Sequence, residues 1–326
     1  MALRVAFFGT PAFAAASLRT LARSPHEVAG VVSQPDRARG RGLKITVEAV
    51  KAAALELGLP VHQPDRLKDS SFLETFRALA PDLAVVAAYG KLLPQALLDI
   101  PRLGFINVHA SLLPRWRGAA PIHRAILSGD ATTGITIMRV VLALDAGPML
   151  SHVVTAIDAN ETSVDLESRL AALGGPLLVE TIDALARGAA AETAQDSGSA
   201  TYAAKLERRD SDVDWTRPAR DIHNQIRGLH PWPLAASTLA GRRLLLLRSI
   251  VEPHPAVESH PVVASGFSRT GTATPGTVLS AGAEGIVVAA GTGAVRLVEV
   301  QPEGRRPMAA RDFLNGTRVA AGDSLG

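Results

Sequence analysis

Asn107 and His109 stand two residues apart at the end of an apolar run, Leu103 to Val108. Asp145 stands in a Leu-Asp-Ala-Gly turn that follows a β-rich run, Gly134 to Leu144. In a strand, side chains two residues apart point to the same face. An amide, an imidazole and a carboxylate converging on one crevice suit transfer of an acyl group to an amine. The imidazole can take or relay the proton that the attacking nitrogen loses. The carboxylate can orient that ring and stabilise its cation, while the amide donates to a developing oxyanion. No residue has to become acylated. Spacing alone also fits a structural account, in which Asn107 caps a turn, His109 is a satisfied polar group at a strand end and Asp145 is turn chemistry.

The elements that must hold these residues read as alternating strands and helices. Arg4 to Phe8, Pro11 to Arg23 and Val28 to Ser33 predict a strand, a helix and a strand with a right-handed crossover. Val50 to Leu57 is helical in pattern and ends at Gly58, and Leu59 to His62 is a short strand. Phe72 to Leu79 is the next helix, and Leu83 to Ala87 is a strand ending at Ala88-Tyr89-Gly90. This order predicts an α/β, Rossmann-like, mainly parallel sheet with its chemistry at the C-terminal ends of the strands. The first turn lacks G-x-G-x-x-G, which argues against a nicotinamide-dependent dehydrogenase. Ala119 to Leu127 predicts a helix, and His123 within it reads as structural. Ser163 to Arg187 is amphipathic but interrupted by Gly174-Gly175-Pro176, giving two helices or one with a break. Trp215 opens a helix-bearing segment through Leu229. Arg243 to Ile250, Gly276 to Ser280, Gly285 to Ala289 and Val295 to Val300 are short β-rich runs with the texture of a small barrel.

A chain of 326 residues exceeds what one core usually organises. The boundaries expected are 1–189 for the N-terminal catalytic domain, 190–207 for a small, polar, Ala-rich linker and 208–326 for the barrel. The absence of Cys rules out disulfides, thiolate catalysis and Cys-based zinc sites, and the nine His show no ligand spacing, so no metal is expected. Through Ala204 there are 19 basic and 19 acidic residues, against 15 basic and 12 acidic from Lys205 onward. The positive excess therefore falls in the last third, a mild footprint for an anionic partner. The N-terminus has a signal-like small-residue run, but Gly9-Thr10-Pro11 interrupts it and fits a strand, a tight turn and a Pro-initiated helix better. No run is long enough to span a membrane, and a cytoplasmic location without membrane contact is expected; a monomer is expected as well.

Gln34 to Val47 carries Arg37, Arg39, Arg41 and Lys44 with Gly40 and Gly42 between them, a composition suited to a loop that grips phosphate. Arg115, Trp116 and Arg117 add two cations and an aromatic, suited to holding a nucleotide end by charge and stacking.

The run from Asn107 to Ile122, N-V-H-A-S-L-L-P-R-W-R-G-A-A-P-I, with Leu144-Asp145-Ala146-Gly147, resembles the core signature of the folate-dependent formyltransferases. Phe8-Gly9-Thr10-Pro11, Gln34-Pro35-Asp36-Arg37, Ala88-Tyr89-Gly90 and Pro231-Trp232-Pro233 match in order, so the resemblance covers nearly the whole chain. Within that superfamily it is strongest to the branch acting on methionyl-tRNA. The resemblance implies a formyltransferase fold with a C-terminal OB-like β-barrel. It also implies transfer of formyl from 10-formyltetrahydrofolate to the α-amine of initiator methionyl-tRNA, for translation initiation. By the same route Asn107, His109 and Asp145 would be catalytic. Ser111, Leu112, Leu113 and Pro114 would contact the folate, whose pterin is walled by Ala88-Tyr89-Gly90 and the 143–147 turn through main-chain groups. Tyr89 reads equally as a core aromatic. The basic loop, Arg115, Arg117 and Lys205 would face tRNA. Two departures stand near the loop: Ala38 follows Asp-Arg where the family has Pro, and Val47-Glu48-Ala49 replaces its Pro-Ser-Pro. Val251 to Thr274 is longer than family loops at this place. Ribonucleotide and sugar-amine formyltransferases and formyltetrahydrofolate hydrolase share the crevice but have no evident need for the basic loop and basic barrel. A nucleic-acid-binding module on a dead fold would have lost the Asn, His or Asp.

Overall fold

Val5, Ala6, Phe7 and Phe8 are each wholly inaccessible to solvent, because β1 (Arg4–Gly9) lies inside a sheet covered on both faces. A run with no polar residue suits only such a position. The computed structural model describes residues 1–39, 44–252 and 273–326, and the side chains of these residues other than 37–39 and 44–46.

The chain forms two compact units. The first comprises residues 1–122, 132–156 and 165–205; the second comprises 123–131, 157–164 and 206–326. In the first, β1 leads to α1 (Ala12–Leu21), β2 (Glu27–Val32) and the antiparallel pair β3 (Arg37–Arg39) and β4 (Lys44–Thr46). Then come α2 (Ala49–Glu56), β5 (Val61–His62), α3 (Ser70–Ala78), β6 (Leu83–Ala87), α4 (Gln95–Leu98), β7 (Phe105–His109) and β8 (Arg117–Gly118). Then follow β9 (Thr132–Arg139), β10 (Met149–Ala156), α6 (Ser163–Ala186) and β11 (Tyr202–Ala203), while α5 (Pro121–Leu127), between β8 and β9 in the chain, belongs mostly to the second unit. The seven-stranded sheet has the order β10-β9-β7-β6-β1-β2-β5, parallel from β7 to β5, with β9 and β10 antiparallel at one edge. The chain leaves β1 toward β2 on one side and returns to β6 on the other. That reversal opens a crevice beyond the C-terminal ends of β1 and β6. On one face Phe8 meets Phe76, Tyr89 and Phe105 at ring-centroid distances of 5.5 Å, the aromatic centre of a core that also takes in Phe72 and Leu97.

Helix α6 is one continuous helix through Pro176. Leu166, Leu170, Leu178 and Ile182 are all buried along one winding i, i+4 stripe that continues across the Gly-Gly-Pro sequence. Gly174 fills the same stripe, and a side chain there would crowd Val108 at 3.3 Å. The helix therefore lies close on the Val108 face of β7. Asn107 and His109, alternating with Val108, point to the opposite face.

In the second unit, α7 (Ala219–Gly228) precedes an antiparallel, barrel-like sheet: β12 (Ala235–Leu239), β13 (Arg242–Val251), β14 (Val278–Gly282), β15 (Gly285–Ala289), β16 (Ala294–Pro302) and β17 (Met308–Ala309), followed by α8 (Ala310–Gly316). Trp215, Ile222, Ile226, Leu246, Ile286, Leu297 and Phe313 build its core. Each such side chain, fully buried, contributes on the order of 1.5–3 kcal/mol. Within this unit the buried Arg227 donates to the carbonyls of Asp158 and Glu161 at 3.1 Å. Residues 253–272, most of the Val251 to Thr274 stretch, lie outside the described residues. Among the described residues no helix is long and apolar enough to cross a membrane.

Candidate active site

His109 ends β7 with its ring buried, its side chain 6% exposed. Its Nε2 lies 2.9 Å from the carbonyl oxygen of Trp116. A carbonyl only accepts, so Nε2 carries the hydrogen of that bond. Nδ1 faces Asp145 Oδ2 at 3.8 Å, an ion-pair separation too long for a direct hydrogen bond. A neutral ring therefore presents a lone pair to a carboxylate, and a proton on Nδ1 turns that contact from repulsion to attraction. Asp145 is held independently: Oδ2 accepts the backbone N–H of Gly118 at 2.8 Å.

Asp145 reaches His109 by an unexpected route. In the antiparallel pairing Ile106 lies opposite Arg139 and His109 opposite Thr136, so β9 ends beside the start of β7. The turn after β9 must double back over the sheet to bring the carboxylate to the imidazole. Its main chain is tight there: Asp145 adopts φ +46, and a Cβ on Gly147 would lie 1.9 Å from the carbonyl of Arg139. The Trp116 to Gly118 loop is similarly constrained, with Trp116 at φ +65 and Gly118 at φ +118. Trp116 N donates to Thr201 Oγ1 at 2.9 Å, and β8 pairs in parallel with β11. Asn107 is half-buried on the same face as His109, and its amide has no hydrogen-bonding partner among the described residues.

Residues 3–182 match the Formyl transferase family, and residues 205–318 match Formyl transferase, C-terminal domain. The chain is 47% identical over 326 residues to the methionyl-tRNA formyltransferase of Pseudomonas paraeruginosa, covering 99% of this chain and 100% of that one. It belongs to the methionyl-tRNA formyltransferase family. The methionyl-tRNA formyltransferase of Chromohalobacter salexigens is 48% identical over 329 residues, covering 99% of this chain and 97% of that one. Two solved structures share the fold at low identity. HypX from Aquifex aeolicus in complex with tetrahydrofolic acid has a TM-score of 0.63 at 18% identity, over 96% of this chain and 47% of that one. WlaRD, a sugar 3N-formyl transferase, has a TM-score of 0.63 at 15% identity, over 94% of this chain and 100% of that one.

The remaining residues singled out in the formyltransferase signature divide by exposure. Ser111 is fully buried and donates from Oγ to the Arg115 carbonyl at 2.6 Å; Leu113 is buried, with its N–H on Thr136 Oγ1 at 3.2 Å. Leu112 and Pro114 are half-buried. Ala88, at φ +43, and Gly90, at φ +79, turn the chain beyond β6. The Tyr89 ring packs edge-on against Phe8 in the core, so the turn offers main chain and no ring to the crevice. The Tyr89 carbonyl is already engaged by Gln34 Nε2 at 2.6 Å, and burial pushes its phenol up to about 12.

Arg115 is exposed, its guanidinium 4.6 Å over the Trp116 ring. Arg117 is buried rather than outward-facing, 4% exposed, with Nε donating to Gln195 Oε1 at 3.0 Å. Lys205 is exposed. Arg41 lies outside the described residues, as do the side chains of Arg37, Arg39 and Lys44.

Gln195 is the site residue that sequence reasoning missed. Its stretch is small and polar, and nothing local marks one Gln among them. Yet Nε2 donates to the carbonyls of Asp145 at 2.9 Å and Gly147 at 2.7 Å. Among the described residues no three His, Asp or Glu side chains group as metal ligands.

Proposed function

We propose that this protein transfers the formyl group of 10-formyltetrahydrofolate to the α-amino group of initiator methionyl-tRNA, in the cytoplasm and as a monomer. The observation that carries this reading is the pairing of buried His109 with half-buried Asp145, fixed by the Gly118 amide, in a chain nearly half identical along its whole length to methionyl-tRNA formyltransferases. The folate supplies an activated one-carbon acyl group when bound. The large apolar side chains of Val141, Leu142 and Leu144 remain exposed on the turn leading to Asp145 and supply apolar surface for a flat ring. Main-chain groups at Ala88 to Gly90 and the Ser111 to Pro114 loop complete the proposed pocket.

As the amine attacks the formyl carbon, the formyl oxygen gains negative charge, which the free Asn107 amide can meet with a hydrogen bond. Removing one such donor typically raises the barrier by ~3 kcal/mol. The nitrogen must lose one proton while the departing folate nitrogen gains one. His109 Nδ1 is the proposed carrier: it faces the Asp145 carboxylate at 3.8 Å, and the Trp116 carbonyl fixes the ring through Nε2. Asp145 thus positions and stabilises without needing to be protonated.

The tRNA-binding role is assigned to residues 208–326 together with the basic 34–47 loop, Arg115 and Lys205, and the catalytic role to residues 1–189. The positive excess from Lys205 onward supports that division. Arg117, being buried, is left out of the phosphate contacts. Formation of formylmethionyl-tRNA from charged initiator tRNA and 10-formyltetrahydrofolate, read on an acid-urea gel or by mass, tests the reading. Absence of product with folded protein and both substrates would refute it.

A further inference from the structure

Gln195 uses its amide completely around the catalytic turn. Both Nε2 hydrogens go to main-chain carbonyls, those of Asp145 and Gly147, and Oε1 accepts from Arg117 Nε at 3.0 Å. These three bonds join two parts of the chain that must agree for the site to form. One is the doubled-back turn, in which Asp145 holds a left-handed φ of +46. The other is the loop through Arg117 to Gly118, whose N–H holds Asp145 Oδ2 at 2.8 Å. A non-glycine residue in such a conformation persists only where its surroundings over-determine it. Arg117 depends on the same side chain: its guanidinium is buried, and no carboxylate lies within ion-pair distance of it among the described residues.

We propose that Gln195 is a positioning residue for formyl transfer. It fixes Asp145 relative to His109 Nδ1 by two attachments, one to the backbone beneath the carboxylate and one to the loop that carries the carboxylate's donor. The proposal rests on the reading of His109 and Asp145 as the catalytic pair. A glutamine that only stabilised the fold would have no reason to meet both the Asp145 carbonyl and the residue preceding Gly118.

The test compares the full-length wild type with Gln195→Ala, Gln195→Met, Asp145→Ala and the Gln195→Ala/Asp145→Ala double variant. The kcat and both KM values are measured with methionyl-tRNA and 10-formyltetrahydrofolate, and tetrahydrofolate binding is followed by intrinsic fluorescence. Gln195→Met keeps the volume without the amide and guards against a variant that fails to fold. Both Gln195 variants are expected to lose roughly 10- to 100-fold in kcat, the scale of a small misplacement of a catalytic group. Both KM values and tetrahydrofolate binding should stay within about threefold of wild type. In the Asp145→Ala background, Gln195→Ala should change the rate by less than about twofold, because nothing remains to position. Three outcomes overturn the proposal while leaving the catalytic pair in place: wild-type kcat in Gln195→Met, a full multiplicative loss in the double variant, or loss of tetrahydrofolate binding in step with kcat. If Asp145→Ala itself keeps wild-type kcat, the catalytic-pair reading fails and the proposal with it. An inactive Asp145→Ala beside a wild-type Gln195→Met removes the role of Gln195 alone.

Discussion

The backbone N–H of Gly118 donates to Asp145 Oδ2 at 2.8 Å across 27 residues of chain. The carboxylate that faces His109 is therefore aimed by main chain, and the amide that aims it sits at φ +118, where a Cβ would meet the Ala203 carbonyl at 2.9 Å. Gly118→Ala should strain or shift this loop at a cost of ~1–3 kcal/mol. Urea unfolding should report that loss, and kcat should fall at least about tenfold as the Asp145 carboxylate loses its donor. An unchanged kcat would show that the amide has no part in orienting the acid.

His109 and Asp145, 3.8 Å apart, are expected to act as one unit. Replacing either by Ala should reduce formyl transfer by on the order of 100-fold or more, and the double replacement should add little. Steady-state rates for the two single variants and the double variant decide this. Fully multiplicative losses would mean that the two groups work separately.

Tyr89 offers a pH-dependent check on the turn proposed to wall the pterin. Its phenol is buried without a hydrogen-bonding partner among the described residues, and burial pushes it up to about 12 from an ordinary value near ~10. Between these values the unfolded chain releases the proton and the folded chain does not. The stability that Tyr89 contributes is thus fully present below about pH 10 and is lost as pH rises toward 12. Tyr89→Phe should remove this segment of base sensitivity, roughly 2–3 kcal/mol in denaturant unfolding across the window. At neutral pH the substitution should be neutral or slightly stabilising, since it deletes an unsatisfied buried hydroxyl. Tetrahydrofolate affinity should not change, because the turn presents main chain to the crevice. A large loss of affinity would return the ring to the binding site.

The strand that delivers Asn107 and His109 was legible because five apolar-rich residues alternate into a motif, and β7 ends where that pattern ends. The direction of β9 was not, because a strand's own periodicity carries no information about which way its neighbour runs. Only pairing shows that the Asp145 turn must fold back over the sheet. Helix α6 was legible in its buried stripe, Leu166, Leu170, Gly174, Leu178 and Ile182, but local propensity at Gly-Gly-Pro argued for a break. Tertiary packing outweighed that propensity. In the second unit β13 to β16 announced themselves by β-rich runs between Gly and Pro, whereas β12, whose Ala-Ala-Ser-Thr-Leu run is poor in large β-branched residues, and the short β17 and α8 were not anticipated. Arg117 looked like its exposed neighbour Arg115. Its buried guanidinium meets Gln195, 78 residues away, and no window of sequence contains both.

If Arg41 contacts a phosphate, Arg41→Ala should weaken methionyl-tRNA binding and reduce the magnitude of the log–log salt slope by about one, while leaving tetrahydrofolate binding unchanged. Parallel salt lines for wild type and variant would remove the basic loop from the tRNA interface.

The His109–Asp145 site is expected to formylate the amine of a charged initiator tRNA and not a small amine held in a similar crevice. The most direct test is a competition. Wild-type protein and 10-formyltetrahydrofolate are given equal concentrations of methionyl initiator tRNA and an aminosugar nucleotide, and both formylated products are quantified by mass over the initial linear phase. Formylmethionyl-tRNA should be the only product above background, and Asp145→Ala should abolish it. Formylation of the aminosugar at a comparable or greater rate, or formylmethionyl-tRNA formation undiminished in Asp145→Ala, would contradict the account.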